Sequence, residues 1–387
     1  MISLAHETIS KTELESAADF LKSGNKLTKG SKTLDFELQF GKSLHSKYAV
    51  YVNSGSSANL LVAAALKESG KLRNNLVVCP SLSWVTTITP FTHLGYEVIL
   101  CEADSNNLGV DLEMLEELFE KKRPALLVLV HILGHSADMK KISELCLKYG
   151  VLIVEDSCEA LGSVSSDGVS LGTHGIAGTF SFYYGHHIST IEGGMVVTDD
   201  FELWQIMLSM RSHGWSRDLS PEMKDKLVEK YEIDEFRNLY TFFWPGFNFR
   251  STDLQAFIGL MQLQKLQDII KIRQNNFYHY EKRLTNFWTQ SSQMQVLSSF
   301  AFGIAVNNRK EFAAKIYAKG IESRPLVCGN IGRHPFWTNK SPAPNFPFAD
   351  FIHDYGMYLP NHANLTTQEI DFVCEIVQEY AEPIFIN

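Results

Sequence analysis

Short apolar runs alternate with segments of helical periodicity along the first half of the chain, and this alternation restricts the fold more than any other feature. Runs bounded by turn residues are typical of buried strands, and here they occupy residues 75–80, 97–104, 125–134, 151–156, 178–183 and 194–199. Residues 111–122 and 138–149 carry apolar side chains at helical spacing between such runs. The pattern predicts an α/β fold with a mainly parallel sheet covered by helices.

The pattern changes after about residue 250, where we predict the boundary between two domains. A large domain would comprise residues 1–250, and a small C-terminal α+β domain would comprise residues 251–387. Residues 252–284 read as one long helix that leads into a mixed region with further strands. The polar stretch 216–234 is interpreted as an insertion or loop.

The charge and hydropathy of the chain argue against several classes of partner. With 35 basic and 44 acidic residues the net charge is −9, which disfavours general binding to nucleic acid or to anionic membranes. No run approaches the roughly 20 apolar residues of a membrane span, and the N-terminal residues lack a secretion signal. The six cysteines include no Cys-x-x-Cys pair, so we expect a reducing cytoplasm rather than a disulfide framework or a zinc site.

A strand, a short polar turn and a helix follow one another over residues 49–66. Backbone N–H groups at the start of a helix, together with the helix dipole, attract phosphate. The amides of Gly55, Ser56 and Ser57 would be the donors of such a site. The alternative is that the turn residues only cap the helix, as serine and asparagine do in many proteins that bind no anion there.

Asp156 ends the apolar run 151–156. In open α/β sheets the carboxyl ends of the strands face the ligand crevice, so a carboxylate there is well placed for catalysis. Beside a pyridine nitrogen, a carboxylate keeps that nitrogen protonated and makes the ring an electron acceptor. The alternative is a capping acid at the end of a strand. Trp84, which follows the run 75–80, could stack on a flat cofactor ring or lie in the core.

Residues 180–194, FSFYYGHHISTIEGG, carry the most specific signal. They resemble the sugar aminotransferases of the DegT/DnrJ/EryC1/StrS family, whose motif has Ser-Phe, three variable residues, a lysine, and a short run ending in Glu-Gly-Gly or Asp-Gly-Gly. Aligned on the Ser-Phe and Glu-Gly-Gly ends, the segment has His186 at the position of the lysine, and no lysine occurs between residues 148 and 224. A metal site at the His-His pair is not expected, because adjacent residues rarely chelate one ion and no cluster of further ligands accompanies them.

Further blocks of the same family occur in the family's order over nearly the whole chain, at residues 27–30, 54–61, 154–163 and 245–259. The resemblance implies the type I fold of pyridoxal-phosphate-dependent enzymes, that of aspartate aminotransferase. It implies that Ser181 and the Gly55–Ser57 amides hold the cofactor phosphate. It also implies that Trp84 stacks on the cofactor ring and that Asp156 pairs with the ring nitrogen. Asn248 would reach the phosphate from a partner chain, which implies a homodimer.

With a histidine at position 186, the chain resembles the family's 3-dehydratases. These enzymes remove the C3 hydroxyl of a nucleotide-linked 4-keto-6-deoxy sugar. Imidazole cannot bind the cofactor covalently as lysine does, but its ordinary pKa of about 6.5 suits proton transfer near neutral pH. The resemblance implies that pyridoxamine phosphate is held non-covalently and that His186 moves a proton at its C4′ carbon. L-glutamate would regenerate pyridoxamine phosphate, and ammonia would be released.

Two details resemble the dehydratases that act on GDP-linked 4-keto-6-deoxymannose, whose product serves 3,6-dideoxyhexoses such as the colitose of surface polysaccharide. Glu159, a further expected cofactor-binding residue, stands where most aminotransferases of the family have glutamine, and residues 211–219 and 320–330 resemble the corresponding segments. An iron-sulfur cluster needs four thiolates. No cysteine lies between Cys158 and Cys328, so no iron-sulfur reductase partner is expected.

Four cationic residues are candidates for binding the sugar or its pyrophosphate: His213, Arg217, Arg250 and Arg324. Each is as readily explained by a surface or interface ion pair. His187 is interpreted as packing or as support for His186. Three other functions stay open: amine transfer to the sugar, dehydration of a CDP- or dTDP-linked sugar, and a catalytically silent relative that binds only cofactor or nucleotide sugar.

Overall fold

A seven-stranded sheet is the largest element of the computed structural model, which describes residues 1–385. The first eight strands are β1 (Tyr48–Val52), β2 (Leu76–Pro80), β3 (Glu97–Cys101), β4 (Leu126–Val130), β5 (Leu152–Asp156), β6 (Val164–Ser165), β7 (Ala177–Ser181) and β8 (Gly194–Thr198). All but β6 form the sheet, in the order β1-β8-β7-β5-β4-β2-β3. Only β8 runs against its neighbours. The expected mainly parallel sheet is confirmed.

Six of the seven strands of this sheet are buried on both faces, and the edge strand β3 is only partly buried. Every residue of β4 and of β8 is buried, and so are four of the five residues in β1, β2, β5 and β7. A strand covered on both faces has no polar side to alternate with its apolar side. For this reason the continuous apolar runs in the sequence located the strands.

Helices cover the sheet and connect its strands. The first nine are α1 (Lys11–Lys22), α2 (Ser31–Ser43), α3 (Gly55–Glu68), α4 (Val85–His93), α5 (Leu112–Lys122), α6 (Met139–Tyr149), α7 (Phe201–Met210), α8 (Pro221–Lys230) and α9 (Glu235–Asn238). The others are α10 (Asp253–Gln264), α11 (Leu266–Arg283), α12 (Arg309–Ala318), α13 (Pro335–Thr338), α14 (Pro347–Tyr355) and α15 (Thr367–Tyr380). Over residues 1–385, no helix combines the length and the apolar character needed to cross a membrane.

A smaller antiparallel sheet lies in the C-terminal part of the chain. The strands of this part are β9 (Trp288–Thr289), β10 (Met294–Val296), β11 (Phe302–Ala305), β12 (Arg324–Pro325) and β13 (Gly356–Leu359). Four of them form the sheet in the order β12-β13-β11-β9, whereas β10 pairs with β6. Phe302, Phe312 and Val373 belong to the core beside this sheet. The boundary at residue 250 stays a prediction, since β6 and β10 pair across it.

Two sequence interpretations are wrong in detail. The long helix expected over residues 252–284 is two helices, α10 and α11, which meet at Lys265. The stretch 216–234, interpreted as an insertion or loop, contains the helix α8. Leu219, Met223 and Leu227 recur at a spacing of four residues and form a small buried cluster, which explains why this polar segment is helical.

Candidate active site

Asp156 lies at the end of β5, on the edge of the sheet where the carboxyl ends of the parallel strands meet. The residue is 5% exposed. Its Oδ2 atom accepts hydrogen bonds from Asn59 Nδ2 at 2.8 Å and from Thr87 Oγ1 at 2.7 Å. Its Oδ1 atom accepts one from the backbone N–H of Cys158 at 3.2 Å. These bonds fix the direction of the carboxylate and leave Oδ1 able to accept one further hydrogen bond.

Asn59, on the helix α3, is itself held in one orientation. Its Oδ1 atom accepts a hydrogen bond from Thr179 Oγ1 at 2.6 Å, and its Nδ2 atom also donates to the Thr86 carbonyl at 3.1 Å. The acceptor and donor sides of the amide are therefore assigned, with the donor side facing Asp156. The sequence analysis missed Asn59 and Thr87, because a polar residue inside a helix near a turn has no distinctive pattern.

The turn before α3 presents a helix N-terminus at the same edge of the sheet. Ser54 caps the helix, and its Oγ atom accepts a hydrogen bond from the Ser57 N–H at 3.0 Å. The N–H groups of Gly55 and Ser56 belong to the first turn, where helix geometry provides no carbonyl partner. Of the three amides predicted to hold phosphate, the Ser57 N–H is thus already used, and those of Gly55 and Ser56 remain for an anion.

Gly55 brings this helix into direct contact with the end of β7. A β-carbon on Gly55 would lie 2.7 Å from the Ser181 β-carbon and 3.1 Å from the Ser181 hydroxyl oxygen. The Cys158 sulfur would be only 3.0 Å away. Only glycine fits here, so the helix N-terminus and the Ser181 hydroxyl lie side by side.

His186 lies in the segment between β7 and β8 and is half-buried. Its Nδ1 atom is buried and has no hydrogen-bond partner within residues 1–385. Burial lowers the pKa of His186 to about 4, and the positive charge of Arg273 adds to this, whereas the Cys158 backbone and the negative charge of Asp156 oppose it. At neutral pH the imidazole is therefore neutral and can accept a proton.

His187 points away into the core. It is fully buried, and its Nε2 atom lies 2.9 Å from the Ser298 carbonyl oxygen, so Nε2 carries the proton and donates it. Burial, and then the charge of Arg273, lower the pKa of His187 well below its usual value. These contacts favour the predicted packing role.

Glu159 follows the strand β5, and Trp84 follows the strand β2. Glu159 Oε2 accepts a hydrogen bond from the Leu133 N–H at 2.8 Å. Burial raises the pKa of Glu159 to about 7 and the charge of Asp156 adds to this, although the bond from Leu133 opposes it. Trp84 precedes the helix α4 and is 54% exposed, so core burial is wrong for it and the stacking role stays a prediction.

Three of the four candidates for the sugar nucleotide lie together with Asn248, and the fourth does not. Arg250 Nε donates to Asn248 Oδ1 at 3.0 Å, and Arg250 Nη2 lies 3.2 Å from His213 Nε2. Arg217 and Arg250 line a cleft of about 180 Å³. Arg324 instead is exposed on β12, in the antiparallel sheet.

This cleft adjoins the turn before α3 through the backbone. The Asn53 N–H donates to the Phe249 carbonyl at 2.9 Å, and Val52 bridges to Arg250. The segment that carries Asn248 therefore runs beside the turn that leads to Gly55. That Asn248 reaches the phosphate of a partner chain stays a prediction.

Glu155, the neighbour of Asp156, anchors a buried network on the other side of β5. Its carboxylate bonds to His131 Nε2 at 2.9 Å and to the backbone N–H groups of Gly172, His174 and Gly175 at 2.7–2.9 Å. Burial alone would raise the pKa of Glu155, but the hydrogen bonds from the two histidines lower it overall. The sequence analysis missed this network, because its members are distributed over 45 positions of the chain.

The arrangement suits a planar, phosphorylated pyridine. Asp156 keeps one acceptor position for a ring N–H, while Gly55 and Ser56 turn two amides toward an anion beside the Ser181 hydroxyl. His186 supplies a neutral imidazole with an unused buried nitrogen. Such a cofactor requires a carboxylate beside the ring nitrogen, donors for its phosphate and a proton acceptor.

The chain is similar to known proteins over nearly its whole length. The model of the DegT/DnrJ/EryC1/StrS aminotransferase family matches residues 7–378. A GDP-4-keto-6-deoxy-D-mannose 3-dehydratase from Yersinia pseudotuberculosis is 34% identical and covers 97% of this chain and 98% of its own length. A solved GDP-4-keto-6-deoxymannose-3-dehydratase variant with bound GDP-perosamine is similar with a TM-score of 0.88, at 31% identity over 97% of this chain and 100% of that chain. A second structure, with a trapped PLP-glutamate geminal diamine, has a TM-score of 0.88 at 30% identity and the same coverage.

Proposed function

Because the chain belongs to the DegT/DnrJ/EryC1/StrS aminotransferase family, we propose that it is a pyridoxal-phosphate-dependent lyase, a 3-dehydratase of GDP-4-keto-6-deoxy-D-mannose. His186 carries the proposal, since it stands at the position of the family's lysine and presents a neutral imidazole there. Relatives that match nearly the whole chain have this activity in their names. The product would serve a 3,6-dideoxyhexose of surface polysaccharide.

Asp156, Ser181 and the N-terminus of α3 hold the cofactor in this proposal. When bound, the cofactor supplies a ring that accepts the electron pair released when a carbon–hydrogen bond breaks. Asp156 pairs with its ring nitrogen, and Asn59 and Thr87 keep the Asp156 carboxylate in place. Trp84 offers an exposed indole to stack on the ring, and Glu159 contributes a carboxyl group close to Asp156.

His186 is the proton carrier. Its imidazole takes up a proton from carbon, and the C3 hydroxyl of the sugar leaves. L-glutamate supplies the two electrons for the loss of this oxygen, and it ends as 2-oxoglutarate and ammonia. Arg217 and Arg250 line the cleft proposed for the sugar nucleotide, and His213 lies beside Arg250, whereas Arg324 lies elsewhere and supports this role less.

We propose that the enzyme works as a homodimer in the cytoplasm. Large apolar side chains are exposed on α2 and around the site: Leu34, Leu38, Trp84, Tyr183, Tyr184 and Ile191. Contiguous exposed apolar surface marks interaction sites, and these side chains are the candidates for such a surface. A partner chain would bring its Asn248 toward the phosphate held at Gly55. The wide separation of Cys158 and Cys328 supports an enzyme that needs no iron-sulfur reductase.

Mass spectrometry of the sugar nucleotide tests the proposed reaction. Purified protein is incubated with GDP-4-keto-6-deoxymannose, L-glutamate and pyridoxal phosphate. We expect a product that has lost one oxygen atom, together with ammonia and 2-oxoglutarate. A product that carries nitrogen in place of the keto oxygen would instead identify an aminotransferase. Unchanged substrate, with CDP- and dTDP-linked keto sugars also unchanged, would favour the catalytically silent relative.

A further inference from the structure

Arg273, on the helix α11, is a buried cation close to the candidate base. It is 2% exposed. Its Nη1 atom donates to the carbonyl oxygens of Ser299 at 3.3 Å, Phe300 at 2.9 Å and Asn361 at 2.8 Å. Burial lowers the pKa of Arg273 to about 10, so the guanidinium remains charged at neutral pH. Two of these partners lie in the loop that precedes β11, and Asn361 follows β13.

Within residues 1–385 no carboxylate forms an ion pair with Arg273, and its Nε atom has no partner. Burying a charge without an opposite charge costs free energy that hydrogen bonds to carbonyls only partly offset. A position that served stability alone would favour an apolar side chain or an ion pair. The buried charge of Arg273 therefore points to an effect on the residues around it.

Phe300 lies close to both this charge and the candidate base. The Arg273 guanidinium carbon lies 5.9 Å from the centre of the Phe300 ring, and the His186 ring centre lies 5.3 Å from it. The Phe300 backbone is fixed at both ends, because its N–H donates to the Leu133 carbonyl at 2.9 Å and its own carbonyl accepts from Arg273. The Phe300 ring therefore packs against His186 from a backbone that is fixed in place.

We propose that Arg273 and Phe300 are positioning residues for His186: the Phe300 ring holds the imidazole at one angle, and Arg273 holds the Phe300 backbone and places a positive charge nearby that disfavours protonation of the imidazole. The inference rests on the proposed function of His186 as the proton carrier. It assigns a reaction role to two residues outside the motif segment of residues 180–194.

The charges that face His186 from the neighbouring elements are Asp156 at the end of β5 and Arg273 on α11, with His187 adjacent in the same segment. Asp156 favours a protonated imidazole and Arg273 disfavours it. Burial acts in the same direction as Arg273 and is the largest contribution to the lowered pKa. Without the arginine, burial alone would oppose the attraction of Asp156.

The test is a pH titration of His186 in Arg273→Met and Arg273→Lys. The titration is monitored by NMR of histidines labelled with carbon-13 at Cε1. The His186 signal is assigned by its absence from His186→Asn. We expect the pKa of His186 to rise by less than one unit in Arg273→Met, because burial outweighs the arginine charge, and to keep its wild-type value in Arg273→Lys. Arg283→Met, at the exposed end of the same helix, serves as the matched control. A wild-type titration in Arg273→Met would overturn the inference, even for a protein that dehydrates the sugar.

Phe300→Leu tests the positioning role of the Phe300 ring without changing a charge. The position is half-buried. We expect kcat to fall about tenfold with KM for the sugar nucleotide unchanged, because a misaligned proton acceptor affects the chemical step. Phe300→Tyr, which keeps the ring, should recover most of kcat. Wild-type kcat in Phe300→Leu would contradict the role of Phe300. If the wild-type protein leaves the sugar unchanged, the proposed function fails separately, and the NMR titration still reports on Arg273.

Discussion

Gly55 and Ser181 lie so close that a β-carbon on Gly55 would be 2.7 Å from the β-carbon of Ser181. Gly55→Ala should therefore push the start of α3 away from the end of β7. We expect a loss of about 1–3 kcal/mol in the free energy of unfolding and a weaker affinity for pyridoxal phosphate. Glu68→Ala, at the exposed far end of the same helix, is the control for both measurements. Unchanged cofactor affinity in Gly55→Ala would show that this turn does not hold the phosphate.

Asn59→Ala should weaken the binding of pyridoxal phosphate, because it removes the hydrogen bond that Asn59 donates to Asp156. A hydrogen bond to a charged group contributes about 1.5–3 kcal/mol, so the dissociation constant measured by calorimetry should rise by about one to two orders of magnitude. Asn75→Ala removes an exposed amide and should leave it unchanged. Equal affinities for the two variants would mean that Asp156 does not contact the cofactor.

The candidate site divides into a part that the sequence predicted and a part that it could not. Asp156 was predicted because parallel strands deliver their carboxyl ends to one edge of the sheet. His186 was located by its spacing from Ser181 in a motif. Asn59, Arg273 and Phe300 come from distant segments, and no local pattern distinguishes them from ordinary helix and loop residues.

The fold shows the same division. The strands were predicted because burial on both faces gives continuous apolar runs. The helix α8 was not, because three apolar residues among many charges are a weak signal until the surface that they cover is known. Pairing of β6 with β10 joins positions about 130 residues apart and depends on tertiary packing alone.

His174→Gln should reduce stability in a manner that depends on pH. Burial alone lowers the pKa of His174, but Glu155 and Asp167 raise it overall above 6.5. A raised histidine pKa stabilises the fold fully below pH 6.5, and this contribution is lost as the pH rises through the folded-state value. The lowered pKa of Glu155 stabilises the fold above pH 4.5, and this contribution is lost toward lower pH.

Urea unfolding should therefore show the largest difference between wild type and His174→Gln between pH 4.5 and 6.5. We expect about 1–3 kcal/mol at pH 6 and a smaller difference at pH 9. His93→Gln, which changes an exposed histidine of α4, should show no such trend. A difference of the same size at pH 6 and pH 9 would exclude a charged His174 in the folded protein.

His186→Lys should restore the covalent attachment that the family's aminotransferases use. A lysine amine at this position would lie beside the cofactor held by Asp156 and Ser181, and it would react with the aldehyde of pyridoxal phosphate. We expect new absorbance in the near-visible that persists on gel filtration, and borohydride should convert the attachment into an adduct visible by mass spectrometry of the intact protein. His186→Asn is the control, since it should form no adduct and should slow the dehydration by about 10²–10⁴-fold. Because capture depends on position and not on catalysis, an unmodified lysine in the folded variant would place His186 outside the site, whatever the activity of the wild-type protein.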